Sequence, residues 1–285
     1  MSGPAKIVIL GAPRSGTNLL RDLLTTLPGL GTWPCDEINY IWRHGNLRHP
    51  SDALPAELAR PEVVRYVRGR FDAIARAQGV ETVVEKTCAN SLRVPFVDRI
   101  VPDARYLFIR REGIDAVASA MERWTAPLDL PYVARKARYV PPTDVPFHAS
   151  RYLLNRLYKL FGGGRLALWG PALPELPALL ERHSLDEVCA LQWQACVTHT
   201  RDALEELPRE RWTEVAYEEL VAQPAAVLER LCAFLGIEAD AAARARAVSG
   251  VSTASVGRGR AVLGAPTTAR LEALVGDTLA AFGYR

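Results

Sequence analysis

KIVILGAPRSGTNLL (residues 6–20) decides the fold. Ile7, Val8, Ile9 and Leu10 form an unbroken apolar run, the pattern of a parallel strand covered on both faces. A loop with Gly11 at one end and Gly16 at the other follows. Leu19, Leu20, Leu23, Leu24 and Leu27 then recur at helical spacing until Pro28-Gly29 stops them. Strand, glycine loop and helix together predict an anion cradle. Backbone N–H groups point inward, and the helix N-terminus adds a positive partial charge. The nucleoside-triphosphate version of G-x-x-x-x-G continues with Lys and Ser/Thr. Here Thr17 and Asn18 stand in those places, and Arg14 is the cation inside the loop. The amides are kept, but the lysine that reaches outer phosphates and the usual Mg²⁺ hydroxyl are lost. Arg14, Ser15, Gly16, Thr17 and Asn18 are the candidate ligands of a less highly charged anion. The competing reading is a tight strand–helix turn with no ligand, in which Thr17 and Asn18 cap the helix.

Working outward, residues 62–78 read as an amphipathic helix closed by Gly79. Residues 82–84 read as a strand, 92–101 as a helix and 105–109 (RYLFI) as a third strand. Ile114, Val117, Ala118 and Met121 continue as a helix. This alternation predicts an α/β fold with a central parallel sheet flanked by helices, of the P-loop type. Later come a long helix (186–207), a strand (212–217) and a helix (224–235) closed by Gly236. A Gly/Ser-rich stretch from 251 leads to a last helix (268–282). Residues 125–184 differ. They hold PP, GGG and many other prolines around one helical island, SRYLLNRLYKLF (150–161). We read residues 1–285 as a single domain, with 125–184 as an acceptor-side insertion or lid. The island is expected to be buried as a subdomain helix.

Composition narrows the function classes. The 285 residues are 49% hydrophobic and 24% charged, with a formal net charge of +3. That mild excess favours anionic ligands and argues against nucleic acid as a partner. No apolar run approaches the roughly 20 residues of a membrane span. The N-terminal run is broken by Arg14 and does not read as a signal peptide, so a cytoplasmic location is expected. The basic, amphipathic 150–161 island leaves peripheral membrane contact open. Cys35, Cys88, Cys189, Cys196 and Cys232 are widely spaced, without a C-x-x-C pair or a Cys/His cluster. Reduced thiols and no metal site are expected.

RREGIDAVASAM (110–121) places Arg111 just past a strand end and Ser119 eight residues on. Together with PRSGT, this resembles the sulfotransferases that use 3′-phosphoadenosine-5′-phosphosulfate (PAPS). The nearest likeness is to tyrosylprotein sulfotransferases and related bacterial enzymes. The resemblance implies that the first loop holds the 5′-phosphosulfate and that Arg111 and Ser119 hold the 3′-phosphate. CDEINYIWR (35–43) is similar to the segment that carries the family's base. That implies Glu37 as base, with Arg43 a basic neighbour. EKT (85–87) is similar to the segment that keeps a lysine, here Lys86. Glu85 is a competing carboxylate. Cytosolic small-molecule members have a catalytic histidine two residues after the lysine; here that position is Cys88.

VAYEELVAQPAAVLERLCAFLGI (215–237) resembles the family's late strand–helix unit. GRGRAVL (257–263) resembles its C-terminal basic loop, which makes Arg258 and Arg260 candidates for the 3′-phosphate. The implied chemistry is metal-free, in-line transfer of a sulfonate from PAPS to a hydroxyl, with Glu37, Arg14 and Lys86 as catalytic groups. A carbohydrate, glycoconjugate or small hydroxylated metabolite is favoured over protein tyrosine. Trp33, Tyr40, Trp42 and Trp124 could line the acceptor cleft or simply be core aromatics. Two other functions stay open. A P-loop kinase or NTPase would need Lys at position 17 and a strand-end Asp, which neither TVVEK nor RYLFIRR supplies. A non-catalytic nucleotide-binding module would keep the donor site without a working base.

Overall fold

The computed structural model describes residues 3–124, 136–161 and 169–284, without the side chains of residues 156 and 159–161. The strands β1 (Ala5–Leu10), β2 (Leu30–Gly31), β3 (Thr82–Lys86), β4 (Arg105–Arg110) and β5 (Trp212–Ala216) form one sheet in the order β2-β3-β1-β4-β5. Every pairing is parallel. The expected α/β architecture is therefore the observed one. The helices in chain order are α1 (Thr17–Thr25), α2 (Asn39–Arg43), α3 (Pro61–Gln78), α4 (Val94–Ile100), α5 (Gly113–Trp124) and α6 (Val145–Phe161). They continue with α7 (Leu176–Arg182), α8 (Leu185–Glu205), α9 (Tyr217–Ala222), α10 (Pro224–Leu235), α11 (Ala241–Val248), α12 (Arg258–Leu263) and α13 (Ala265–Ala281).

The period of two along each strand sorts the core into two layers. Ile7, Ile9, Leu107 and Ile109 face one side, with Leu20, Leu24, Leu220 and Leu231. Val8, Leu10, Tyr106 and Phe108 face the other, with Phe71, Val97, Val117 and Val197. Covered on both faces, the strands need the continuous apolar runs seen in the sequence. The chain leaves β1 for β3 on one side, then returns to β4 on the other. The crevice at the carboxyl ends of these strands is where open parallel sheets bind ligands.

Several local expectations shift. The helix expected at 92–101 is α4, trimmed to Val94–Ile100, and a 3-10 turn, Cys88–Leu92, precedes it. The strand expected to reach Tyr217 stops at Ala216, and the final helix begins at Ala265. Of the expected insertion, residues 125–135 and 162–168 lie outside the described residues. The remainder is tied to the body by several bonds, among them Asp52 N–H to Ala172 O (2.7 Å), Ala172 N–H to Asp52 Oδ2 (2.8 Å), His44 with Asp144 (2.7 Å) and Gln192 Nε2 to Trp169 O and Pro171 O (3.0 Å each). The 150–161 island is not buried as expected. Leu153, Leu154 and Leu157 are 58, 65 and 41% exposed. The helix turns its polar face, with His148, Arg151 and Asn155, to a cavity, so these leucines lie on the opposite side.

All five cysteines are free thiols, with only Cys35 half-buried. No helix among the described residues is long and apolar enough to cross a membrane.

Candidate active site

A cavity of about 1080 Å³ opens at the carboxyl ends of β1, β3 and β4. Its first wall is the loop after β1. Gly16 adopts φ 87°, and a Cβ there would meet the Tyr217 ring at 2.4 Å, so only glycine fits. Arg14 is the one non-glycine residue among those described with a positive φ, 68°. No side chain caps α1, so the capping expected of Thr17 and Asn18 is absent and the helix N-terminus is left for a ligand. Ser15 Oγ is buried without a partner, a polar atom that an anion in the cradle would satisfy. Arg14, Gly16, Thr17 and Asn18 all line the cavity.

The end of β4 and the start of α5 form the second wall. Arg111 is 7% exposed, and its guanidinium holds the site together. Nη1 donates to Arg14 O (3.0 Å), Nη2 donates to Ser255 O (2.6 Å), and the group lies 4.6 Å from the Tyr217 ring centroid. Its Nε is buried without a partner. Arg14 Nε donates to Ser119 Oγ (2.9 Å), so the loop and the Arg111/Ser119 pair meet although 105 residues separate Arg14 from Ser119.

Arg258 lines the same cavity, but Arg260 does not. Arg260 is committed to Glu272 and to Glu112 (3.4 Å), which corrects its expected place beside Arg258. The register is fixed by Asp115, whose carboxylate accepts from Gly257 N–H (2.7 Å) and Gly259 N–H (2.6 Å). At Gly259 a Cβ would lie 2.5 Å from Ile114 O. Asp115, Tyr217 and Ser255 were not legible as site residues, because their partners lie far along the chain. The Tyr217 hydroxyl and Ser255 Oγ are 2.6 Å apart.

The third wall carries Glu37 and Lys86. Glu37 Oε1 accepts from Lys86 Nζ (3.4 Å) and from Cys88 N–H (3.3 Å). Burial would raise this carboxyl, but Lys86, Lys136 and the Cys88 amide outweigh it and hold the pKa at about 2. Lys86 is 3% exposed; burial would lower it, yet Glu37 keeps it above the usual lysine value. Burial pushes the Cys88 thiol up to about 12, so it stays protonated. Arg43, expected beside Glu37, is instead bound to Asp52 (2.9 Å) and Ser51 O (2.6 Å). Of the four flanking aromatics, Trp33, Trp42 and Trp124 sit in the core, and Tyr40 alone lines the cavity.

Glu85 and Lys86 are adjacent on β3 and so point to opposite faces. Glu85 is fully buried away from the cavity and accepts from Trp42 Nε1 (3.1 Å), Thr87 Oγ1 (2.5 Å) and Asn90 Nδ2 (2.9 Å). Burial raises its pKa to about 7, against those hydrogen bonds. Because the folded value lies above the ordinary 4.5, its contribution to stability is complete below pH 4.5 and is lost as pH rises toward 7. Glu85→Ala orphans three donors and is expected to cost about 3 kcal/mol, read as a lower urea midpoint at unchanged slope.

Comparison with known proteins bears on this geometry. A family model described as the Sulfotransferase family matches residues 4–140 and 175–241, well over half of the chain. The chain belongs to the sulfotransferase family. The gap in the match includes α6. Nodulation protein NoeE of Sinorhizobium fredii (strain NBRC 101917 / NGR234) is 26% identical over 253 residues, covering 82% of this chain and 51% of that protein. The chain thus spans about half the length of that curated relative. Among solved structures, sulfotransferase STF9 from Mycobacterium avium aligns with a TM-score of 0.58 at 15% identity, covering 100% of this chain and 78% of that one. The sulfotransferase domain from the curacin biosynthetic pathway aligns at 0.50 and 17% identity, covering 96 and 99%. These two share the sulfotransferase fold with this chain.

Proposed function

We propose that this sulfotransferase-family protein moves a sulfonate from PAPS to an acceptor hydroxyl by one in-line displacement. The observation that carries the proposal is convergence. The β1 loop, the Arg111–Ser119 pair and the Glu37–Lys86 pair border one cavity, although the sequence scatters them over residues 14–119. The free α1 N-terminus, the unpartnered Ser15 Oγ and the unpartnered Arg111 Nε are donors suited to a nucleotide with phosphates at two positions. Arg14, Ser15, Gly16, Thr17 and Asn18 take the 5′ side; Arg111, Ser119 and Arg258 take the 3′-phosphate. The bound donor supplies an activated sulfonate, whose sulfur–oxygen bond to phosphate is the one broken.

Glu37 accepts the proton of the attacking hydroxyl as the new oxygen–sulfur bond forms. Lys86, Arg14 and the loop amides oppose the charge that gathers on the departing phosphate. None of these roles calls for a metal ion. The likeness to tyrosylprotein sulfotransferases rests on the donor loop and the Glu37 segment, and it carries no acceptor identity. A carbohydrate, glycoconjugate or small metabolite suits the polar acceptor end better than a protein tyrosine. A kinase reading is disfavoured by Thr17, which is buried where that chemistry needs a lysine, its hydroxyl 3.7 Å from Cys88 Sγ.

The test is transfer of radiolabel from sulfonate-labelled PAPS to a panel of saccharides in the presence of EDTA. Label in a sulfate ester supports the proposal. Phosphoryl transfer from ATP that requires Mg²⁺ would replace it with a kinase.

The pH profile gives a second check. A base held at about 2 puts no acidic limb above pH 5 in wild-type kcat/KM. Lys86→Met removes the largest charge that lowers Glu37 and leaves burial, which raises it. An acidic limb is therefore expected to move up into the measurable range in the variant. Parallel profiles for the two proteins would contradict the pairing.

A further inference from the structure

Beyond Glu37 the cavity continues along α6, past Tyr40, His148, Arg151, Tyr152, Asn155 and Trp169. The carboxylates on this side are already taken. Glu37 pairs with Lys86, and Asp36 lies 3.6 Å from Arg21. Asp52, whose charge also reaches Arg151, is bound by Arg43 (2.9 Å) with Arg93 at 3.5 Å, and Asp144, whose charge reaches His148, is bound to His44 (2.7 Å). Arg151 has no carboxylate partner among the described residues. The residue is exposed along the cavity wall, but its guanidinium is partly desolvated, which lowers its pKa, and lies 5.6 Å from the centroid of the Phe147 ring.

One helical turn back on the same face, His148 Nε2 is buried with no hydrogen-bond partner. Its ring packs edge-on to Tyr40 (6.2 Å) and Phe147 (5.6 Å), which fixes its orientation. Burial lowers the His148 pKa, so the ring is neutral and one nitrogen can donate. A cation without a counter-ion and an unsatisfied ring nitrogen, one turn apart beside aromatic rings, make an environment short of one anion.

We propose that Arg151 and His148 form an anion subsite at the acceptor end, so that the acceptor carries a carboxylate or phosphate ester besides the hydroxyl that is modified. Resting on the sulfotransferase reading above, this narrows the acceptor to a charged saccharide unit such as a uronate or a sugar phosphate. The tyrosine and tryptophan rings along the cavity offer faces for the sugar. The donor site lies on the other side of Glu37, with its own cations Arg14, Arg111 and Arg258, so the two anions of a ternary complex do not compete for one arginine.

Calorimetric titration of the protein saturated with adenosine 3′,5′-bisphosphate, using glucose, glucuronate and glucose 6-phosphate in turn, tests this. The bisphosphate occupies the donor site, so added anions report on the acceptor end. Either or both anions are expected to bind at least about tenfold more tightly than glucose, as a charge-assisted hydrogen bond would give. Which anion binds better distinguishes a uronate from a sugar phosphate. Arg151→Gln should bring the preference within about twofold with bisphosphate affinity unchanged. Arg138→Gln, which removes an exposed cation outside the cavity, should leave the preference intact. Equal affinities for the three sugars, no binding of either anion, or a preference that survives Arg151→Gln overturns the subsite. Should the bisphosphate itself not bind, the donor reading fails, and the same titrations on the free protein still decide the subsite.

Discussion

Glu37→Gln is expected to lower turnover by roughly 10²–10⁴-fold, the range for loss of a general base. Affinity for adenosine 3′,5′-bisphosphate should stay the same or tighten. The two parts follow from one contact. Glu37 Oε1 is held by Lys86 Nζ and the Cys88 amide, so the isosteric amide keeps the shape and loses the charge that receives a proton. Lys86, 3% exposed, then has no counter-ion at Glu37. A buried cation without a partner gains from any anion placed beside it, and the donor's 5′-phosphate is such an anion. Rapid-quench turnover and calorimetry on the same preparation check both. A loss of binding equal to the loss of turnover would make Glu37 a structural residue. Unchanged turnover would mean that Glu37 is not the base, whereas bisphosphate binding with no turnover in the wild type would favour a non-catalytic nucleotide-binding module.

Arg111→Ala is expected to weaken bisphosphate binding by about 100-fold or more, since it removes a charge-assisted phosphate contact and loosens the cradle as well. Arg14 sits at φ 68°, a left-handed conformation that costs a side-chain-bearing residue roughly 1–2 kcal/mol. The Arg111 bond to Arg14 O and the Arg14 bond to Ser119 Oγ are what the structure sets against that strain. Without Arg111 the loop can relax, and the 250s segment loses its tie through Ser255 O. Arg111→Lys restores charge but not the planar fork, and it should recover only part of the affinity. A purely local role would instead give the same modest loss for both variants, measured by the same titration.

The part of the cavity around the β1 loop was legible because it is local. Strand, glycine loop and helix are contiguous, and Arg111 and Ser119 lie on one strand–helix unit. What stayed hidden depends on distant contacts. Asp115 looked like any helix residue, yet it binds amides 142 and 144 positions away. That clamp decides that Arg258, and not Arg260, reaches the cavity. Glu37 was favoured as base by the resemblance, with Glu85 a competing carboxylate, and the alternation of β3 turns Glu85 into the core. β2 escaped notice because two residues carry no period, and its place comes from pairing with β3. The 150–161 island was expected to be buried as a subdomain helix because its leucines are amphipathic in pattern. The structure gives the cavity its polar face instead.

The central claim is that the cradle and the Arg111–Ser119 pair together recognise a 3′-phosphorylated nucleotide. The most direct measurement is a calorimetric comparison of adenosine 3′,5′-bisphosphate with adenosine 5′-monophosphate and with ATP·Mg²⁺ on the wild-type protein. The account predicts that the bisphosphate binds at least about 100-fold more tightly than the monophosphate, and equally with or without Mg²⁺. Equal binding of bisphosphate and monophosphate, or a preference for ATP·Mg²⁺, would contradict it.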